Sequence, residues 1–242
     1  MCAWHAKATG AYDRTSQEAI DNVKMMARAL VSKGWSLMSV AALLGNGAGE
    51  SGLNPWRWES DYVPTYNEFL GWQGSVAQQH GYGLFGFTPA SSYINSTNEQ
   101  RFAGYGYGPN FSDKPGKVSD GEAQVRYFIS TVQANWTHNL YSYYWDNFND
   151  IGVNIDLFYN MTFEEFTSGK DSQGNDIPIE HLTGAFELCY EKPADWAAAN
   201  SYNYRVSSAQ YWYDVIKDMP IPGTGGEAFN IMFYLKPKYK RM

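Results

Sequence analysis

The segment GNGAGESGLNP places a single carboxylate, Glu50, directly after three closely spaced glycines. Gly45, Gly47 and Gly49 each cost a helix about 1 kcal/mol relative to alanine. Such a local loss of stability is typical of a place where another part of the molecule comes close to the backbone. The pattern therefore marks Glu50 as a carboxylate in a crowded environment.

Glu50 also has the position that a general acid needs. It follows Leu43 by seven residues, so a continuous helix would direct it to the same side as the apolar stripe. A carboxylate there is costly unless it is paired, neutral or functional. Partial burial and the negative end of a helix both keep a carboxyl protonated near neutral pH, as protonation of a glycosidic oxygen requires. From this stretch alone, a solvated residue at a frayed helix end is an equal alternative.

The sequence lacks the residue patterns that other kinds of catalysis require. The histidines are scattered, no HExxH or CxxC motif occurs, and no GxSxG or Walker-type loop is present. Cys189 lies on the apolar side of a predicted helix, where a thiol packs, and we interpret both Cys2 and Cys189 as free thiols. We therefore expect no metal and no cofactor. The histidines are His5, His80, His138 and His181.

The composition limits the classes of molecule that the protein is expected to bind. The net charge of −7 argues against a binder of nucleic acid or anionic membrane. Aromatic residues make up 17% of the 242 residues, which fits either an aromatic core or a groove whose rings stack on sugars. No stretch approaches the length of a membrane span, and the N-terminus lacks the apolar region of a signal peptide. We therefore expect synthesis in the cytoplasm without a signal peptide.

Helical periodicity surrounds an irregular segment. Residues 55–117 are dense in glycine, proline and aromatic residues, which predicts loops, turns and a small sheet. Before this segment, one helix is predicted from a capping box at Thr15–Glu18 to Gly34, and a second from Ser36 into the glycine-rich stretch. After it, one helix is predicted from a capping box at Ser119–Glu122 to Trp136, a short one from a capping box at Thr162–Glu165, and one from Ile179 to Cys189 that ends before Pro193. The last helix is predicted from Asp195 to about Met219, and its inner face consists of Val206, Ala209, Tyr213 and Ile216.

Three segments resemble one family in the same order along the chain. ESGLNP resembles the signature around the catalytic glutamate of lysozyme-like lytic transglycosylases, and AALLGNGAGESGLNP is more similar to phage tail lysozymes. GYGLFGFTPAS is similar to the second motif of these families, although Gly86 stands where many transglycosylases have glutamine. Residues 182–216 resemble the C-terminal helices of phage tail lysozymes. The residues in step there are Phe186, Glu187, Tyr190, Glu191, Pro193 and Arg205.

The resemblance covers about residues 15–218 and implies a mainly α (α+β), lysozyme-like fold. It implies a helical lobe, a small irregular or β lobe at about 55–117, and an active-site cleft between them. Glu50 would protonate the leaving oxygen between peptidoglycan sugars. A second carboxylate would be Asp61 or Glu59, with Asp61 preferred; without one, the reaction would be substrate-assisted or follow the transglycosylase route.

Several aromatic residues near Glu50 are candidates for stacking on the sugars. These candidates are Tyr82, Trp56, Trp58 and Tyr62, and Thr88 could add a hydroxyl near the acid. For each ring, packing in the core is an equal alternative.

The expected function is a peptidoglycan glycosidase of a phage tail that opens the wall during DNA delivery. The alternatives are a lytic transglycosylase, a cytoplasmic endolysin, and a non-catalytic glycan-binding tail module. Residues 1–218 would be the catalytic domain and residues 219–242 a linker and attachment tail for other tail proteins. A membrane surface is a less favoured partner of the basic tail, which could also fold back onto its own domain.

Overall fold

The computed structural model describes residues 4–7, 10–59, 80–94 and 120–220, and this part of the chain is mainly helical. The helices are α1 (Gln17–Val31), α2 (Leu37–Glu50), α3 (Ala90–Ile94), α4 (Asp120–Asn135), α5 (Tyr141–Asp150), α6 (Phe163–Ser168), α7 (Ile179–Phe186) and α8 (Asp195–Ile216). A 3₁₀ turn spans Ile155–Leu157, and a π-helical segment spans Glu187–Glu191.

The helix starts follow local capping chemistry. Ser36 caps α2, as predicted, because its side chain accepts a hydrogen bond from the Ser39 backbone N–H. The predicted capping box at the start of α6 is confirmed by reciprocal bonds between Thr162 and Glu165. The predicted box at α1 is wrong: Ser16 is the cap, and Thr15 bonds Asp13 instead. Ser119 lies outside the described residues.

Helix α2 is the centre of the molecule. All of its residues from Ser39 to Gly47 are buried, and it makes the most extensive helix–helix contact of the described fold with α8. A Cβ on Gly45 would lie 2.5 Å from the Arg205 carbonyl oxygen and 2.8 Å from the Ala209 backbone nitrogen. Only glycine allows this approach of the two backbones, which explains the glycine that opens the motif.

The C-terminal helices depart from the predicted pattern at two points. The helix predicted for residues 179–189 is α7 only as far as Phe186, and the chain then widens into the π-helical segment, a rare element that is frequent at functional sites. On α8, Ala209 and Ile216 are buried as predicted, and Val206 and Tyr213 pack against the core while they stay partly exposed. The further buried residues of α8 are Ala198, Ala199, Tyr202, Arg205, Ser208 and Trp212.

The described residues between α2 and α3, which are 51–59 and 80–89, lie mainly in turns. Within residues 51–59 and 80–94, pairing is limited to isolated antiparallel bridges that join Tyr82 to Trp58 and to Phe87. Residues 60–79, 95–119 and 221–242 lie outside the described residues, so the β lobe, the cleft, the domain boundary and the attachment tail stay predictions. No described helix has both the length and the apolar character needed to cross a membrane.

Candidate active site

Glu50 is the last residue of α2, and its carboxylate meets a cation from α8. Its Oε1 accepts a hydrogen bond of 2.6 Å from Nη2 of Arg205. The Glu50 side chain is 28% exposed, whereas that of Arg205 is 6% exposed. The ion pair therefore lies mostly beneath the surface, with the carboxylate as its exposed end.

Arg205 contacts three elements at once. Its Nε lies 2.9 Å from Oε1 of Glu187 in the π-helical segment, and its Nη1 donates to Oδ1 of Asn46 on α2 at 2.9 Å. Its Nε also lies 3.1 Å from the hydroxyl of Ser201 on α8. A planar guanidinium with several fixed donors suits such a junction better than a lysine would. Its stem crosses Gly49, where a Cβ would be in ordinary contact with it.

Glu187 is fully buried beside this cation. Ser201 donates to its Oε1 at 2.7 Å, while its Oε2 has no hydrogen-bond partner among the described residues. Burial raises the pKa of Glu187 to about 7, although Arg205 and the Ser201 hydrogen bond oppose this rise. The carboxyl therefore changes its charge near neutral pH.

Glu191, one turn further along the π-helical segment, adds a third carboxyl. Its Oε1 is buried and has no hydrogen-bond partner within the described part of the chain. Burial, together with the nearby Glu50 carboxylate, raises the pKa of Glu191 well above its usual value. For Arg205, burial lowers the pKa, but the surrounding carboxylates outweigh it and the net shift is upward. Three carboxyls thus surround one permanent cation, and this group is named the Arg205 cluster.

The opposite side of Glu50 is formed by a glycine turn. Gly86 has φ +54, and a Cβ added there would lie 3.2 Å from Oε2 of Glu50. The turn is fixed to α2, because the Ser51 hydroxyl donates to the Leu84 carbonyl at 3.0 Å. It is fixed to α4 as well, because the Leu84 N–H donates to Oε1 of Gln124 at 2.7 Å. Backbone, rather than a side chain, therefore faces the carboxylate from this side.

The aromatic candidates divide into core and surface. Tyr82 and Trp58 are buried, with ring centroids 4.7 Å apart, and Tyr82 packs on Tyr93 as well. Their faces are covered by other rings, so the described structure assigns both to packing. Trp56 is partly exposed, and Tyr62 lies outside the described residues.

Thr88 is exposed and stands at the glycine turn. Its hydroxyl donates to the Gly86 carbonyl at 2.8 Å, which keeps it beside the residue that faces Glu50. A position of this hydroxyl near the acid, and its contact with a ligand, stay predictions.

Of the two candidates for a second carboxylate, the structure describes Glu59. Its side chain is 55% exposed, and its Oε2 accepts from the Gly81 N–H at 2.9 Å and lies 4.0 Å from Nδ1 of His80. A Cβ on Gly81 would lie 3.1 Å from the Gly86 carbonyl oxygen, so Glu59 is attached to the same turn that faces Glu50. Asp61 lies outside the described residues.

The Arg205 cluster contains residues for which sequence reasoning predicted no role. Arg205, Glu187 and Glu191 were recognised only as parts of a recurring motif. A signal was nevertheless present, because each places a charge on an otherwise apolar helical stripe, where charges need partners. Elsewhere, Cys189 is buried and donates to the Tyr159 carbonyl, as expected for a packing thiol. Within the described ranges, no group of His, Cys, Asp and Glu has the arrangement of a metal site.

Comparison with known proteins gives a matching family and curated relatives. The family model described as phage tail lysozyme matches residues 21–216. A curated relative, Morphogenesis protein 1 of Bacillus phage B103, is 25% identical over 201 residues, which is 83% of this chain and 40% of the relative. The chain thus spans less than half the length of that relative.

Proposed function

Because the chain belongs to the phage tail lysozyme family, we propose that it cleaves the β-1,4 glycan strand of bacterial peptidoglycan with Glu50 as the general acid. The observation that carries this assignment is the position of Glu50 as the exposed end of an otherwise buried charge cluster. Its side chain is 28% exposed, against 6% for Arg205 and 0% for Glu187. A glycan can reach this carboxyl, while the groups that control its charge stay out of water.

The geometry supplies the parts that proton donation needs. The hydrogen bond from Arg205 fixes one oxygen of Glu50, so the other oxygen, Oε2, is the one that faces the glycine turn. Because Gly86 has no Cβ, the space next to Oε2 stays open. A leaving glycosidic oxygen that enters this space would receive the proton from Glu50, and such positioned acids typically contribute a factor of about 10²–10⁴ in rate.

The second group decides the type of reaction. We propose Asp61 as the second carboxylate, with Glu59 as the alternative that the turn holds in place. In a hydrolase, one of them would act as nucleophile or base. If neither acts, the sugar's own hydroxyl or its N-acyl group would attack the anomeric carbon, as in the transglycosylase or substrate-assisted route.

The family and the relative support a role in a phage particle. The relative's name connects that protein with phage morphogenesis, and we propose that this chain is a virion protein of the phage tail tip that opens the host wall locally. Residues 219–242, the predicted linker and tail, would attach it to other tail proteins through the run FNIMFYL and the basic end KPKYKR. A truncation after Pro222 should then keep wall cleavage and lose incorporation into particles.

The function is tested on purified cell walls. The full chain should reduce their turbidity, and the Glu50→Gln variant, purified in the same way, should not. Analysis of the product ends separates the reactions, since a hydrolase leaves reducing ends and a transglycosylase leaves anhydro ends. Binding of walls by the folded protein without any cleavage would overturn the proposal and favour a glycan-binding tail module.

A further inference from the structure

The ion pair between Arg205 and Glu50 raises a problem for a general acid. A guanidinium 2.6 Å from a carboxylate oxygen favours the ionised carboxylate, which cannot donate a proton. Arg205, however, does not serve Glu50 alone, because its Nε lies 2.9 Å from Glu187. The two carboxylates approach the same cation from different elements, so they compete for its charge.

Glu187 lies deeper beside the cation than Glu50 does. Its side chain is fully buried, where opposite charges attract each other more than they do near water, and Ser201 donates to the oxygen that faces Arg205. When Glu187 is ionised, it compensates the guanidinium, and its own charge repels a second negative charge on Glu50. When Glu187 is protonated, the whole charge of Arg205 acts on Glu50.

We infer that Glu187 is a positioning residue for Glu50: through Arg205 the two carboxyls hold one proton between them, and when that proton lies on Glu50 the ionised Glu187 compensates the charge of Arg205. This inference rests on the proposed role of Glu50 as general acid. With one proton, the two carboxyls and the guanidinium are neutral together. Removal of the last proton would leave a net negative charge in a mostly buried site, which is costly.

The other titratable groups around Glu187 do not interfere with this exchange. Burial raises the pKa of Tyr144 on α5 and of Tyr202 on α8, so both phenols stay neutral. Burial likewise raises the pKa of Cys189 to about 12. The charged groups that act on Glu187 within the described structure are therefore Arg205, Glu50 and Glu191. Burial raises the pKa of Glu187 to about 7, so before substrate binds the shared proton lies on Glu187 up to the neutral range.

Substrate binding would favour the productive arrangement. A sugar over the exposed edge of Glu50 removes water from that carboxylate and makes its ionised form more costly. Glu187 is already fully buried, so its environment does not change. The shared proton would therefore move to Glu50 and the compensating negative charge to Glu187, with no change in the number of protons bound.

The test is the Glu187→Gln variant, which keeps the shape of the side chain and removes its charge. Without that charge, Arg205 acts on Glu50 alone, so the alkaline limb of the pH profile of kcat/KM should move to lower pH by about one unit. Glu180→Gln is the matched control, because it removes an exposed carboxylate from neighbouring α7 and should leave the limb in place. A loss of packing alone would lower activity without moving the limb.

A spectroscopic measurement on the unaltered chain keeps the inference testable if Glu187→Gln does not fold. In protein labelled with ¹³C at the glutamate carboxyls, the Glu50 signal should titrate in two steps, with the second coincident with that of Glu187. The signal that disappears in Glu50→Gln assigns it. Independent single-step titrations, or an unmoved alkaline limb in folded Glu187→Gln, would overturn the inference and leave the proposed function intact. Absence of wall cleavage would overturn the function while the titration still reported on the coupling.

Discussion

Glu50 lies between two regions of opposite character. On its helical side, α2, α8 and the π-helical segment bring Arg205, Glu187 and Asn46 together in a buried network of charges. On its turn side, Gly86 presents backbone, and the aromatic rings behind it pack among themselves. One side therefore controls the charge and orientation of the carboxyl, and the other leaves room beside it.

The difference shows how a helical fold accommodates an ionisable group at its centre. The buried charges are expensive on their own, so their mutual pairing is needed for stability. At Gly86 the turn contains no buried charge that needs a partner. The absence of a side chain there leaves space beside Glu50 instead. Changes on the helical side should thus act first on stability, and changes on the turn side first on activity.

The largest effect on stability is expected from Arg205→Met. It leaves Glu187 buried without its cation, and breaking a buried pair in this way costs about 3–5 kcal/mol. Urea denaturation at pH 8 measures the loss. Arg126→Met is the control, because its pair with Glu122 is about two-fifths exposed and should be worth less than about 1 kcal/mol. Equal losses in the two variants would show that the Arg205 cluster has no special role in stability.

The pH dependence of stability should reveal the buried carboxyl. Because the pKa of Glu187 rises from 4.5 to about 7 on folding, the native state binds its proton more tightly than the unfolded state does. This contribution is fully present below about pH 4.5 and is lost as pH rises through about 7, by an amount on the order of 3 kcal/mol. In Glu187→Gln this loss should vanish between pH 4.5 and 7. Parallel stability curves for the two proteins would contradict the assignment.

Two glycines of one helix should respond in opposite ways. Gly45→Ala forces a Cβ against the α8 backbone and should lower the free energy of unfolding by about 1–3 kcal/mol. Gly49→Ala meets only the Arg205 side chain, at 3.5 Å, and should be neutral or gain up to about 1 kcal/mol from helix propensity. Thermal denaturation of both variants decides the point. Similar losses in both would mean that the α2–α8 contact can adjust.

On the turn side, Gly86→Ala should separate activity from stability. Its φ of +54 makes alanine cost about 1 kcal/mol, and the new Cβ would lie 3.2 Å from Glu50 Oε2. Gly152→Ala has a similar backbone cost at φ +74 but open space around the added carbon. Both variants should lose similar stability, and only Gly86→Ala should lose most of its wall cleavage. Equal activity would remove Gly86 from the site.

The sequence predicted the positions of most helices and the location of Glu50, because these follow from local periodicity and capping. It predicted that another part of the molecule comes close to Gly45 but not which part, since the partner helix lies about 160 residues further along the chain. The Arg205 cluster depends on that same long-range packing and on a π-helical turn, which periodicity does not reveal. Tyr82 and Trp58 were predicted to stack on sugars because the sequence shows that a residue is aromatic but not whether its ring is buried.

The central claim is that Glu50 donates the proton that breaks the glycan strand. The most direct measurement is the rate at which muropeptides are released from defined peptidoglycan, quantified by mass spectrometry, for the unaltered chain and for Glu50→Gln with an unchanged thermal midpoint. The account predicts a fall of about 10²–10⁴ or more, because glutamine keeps the shape of the side chain but has no proton to transfer. Retention of most of the activity by the folded variant would contradict it.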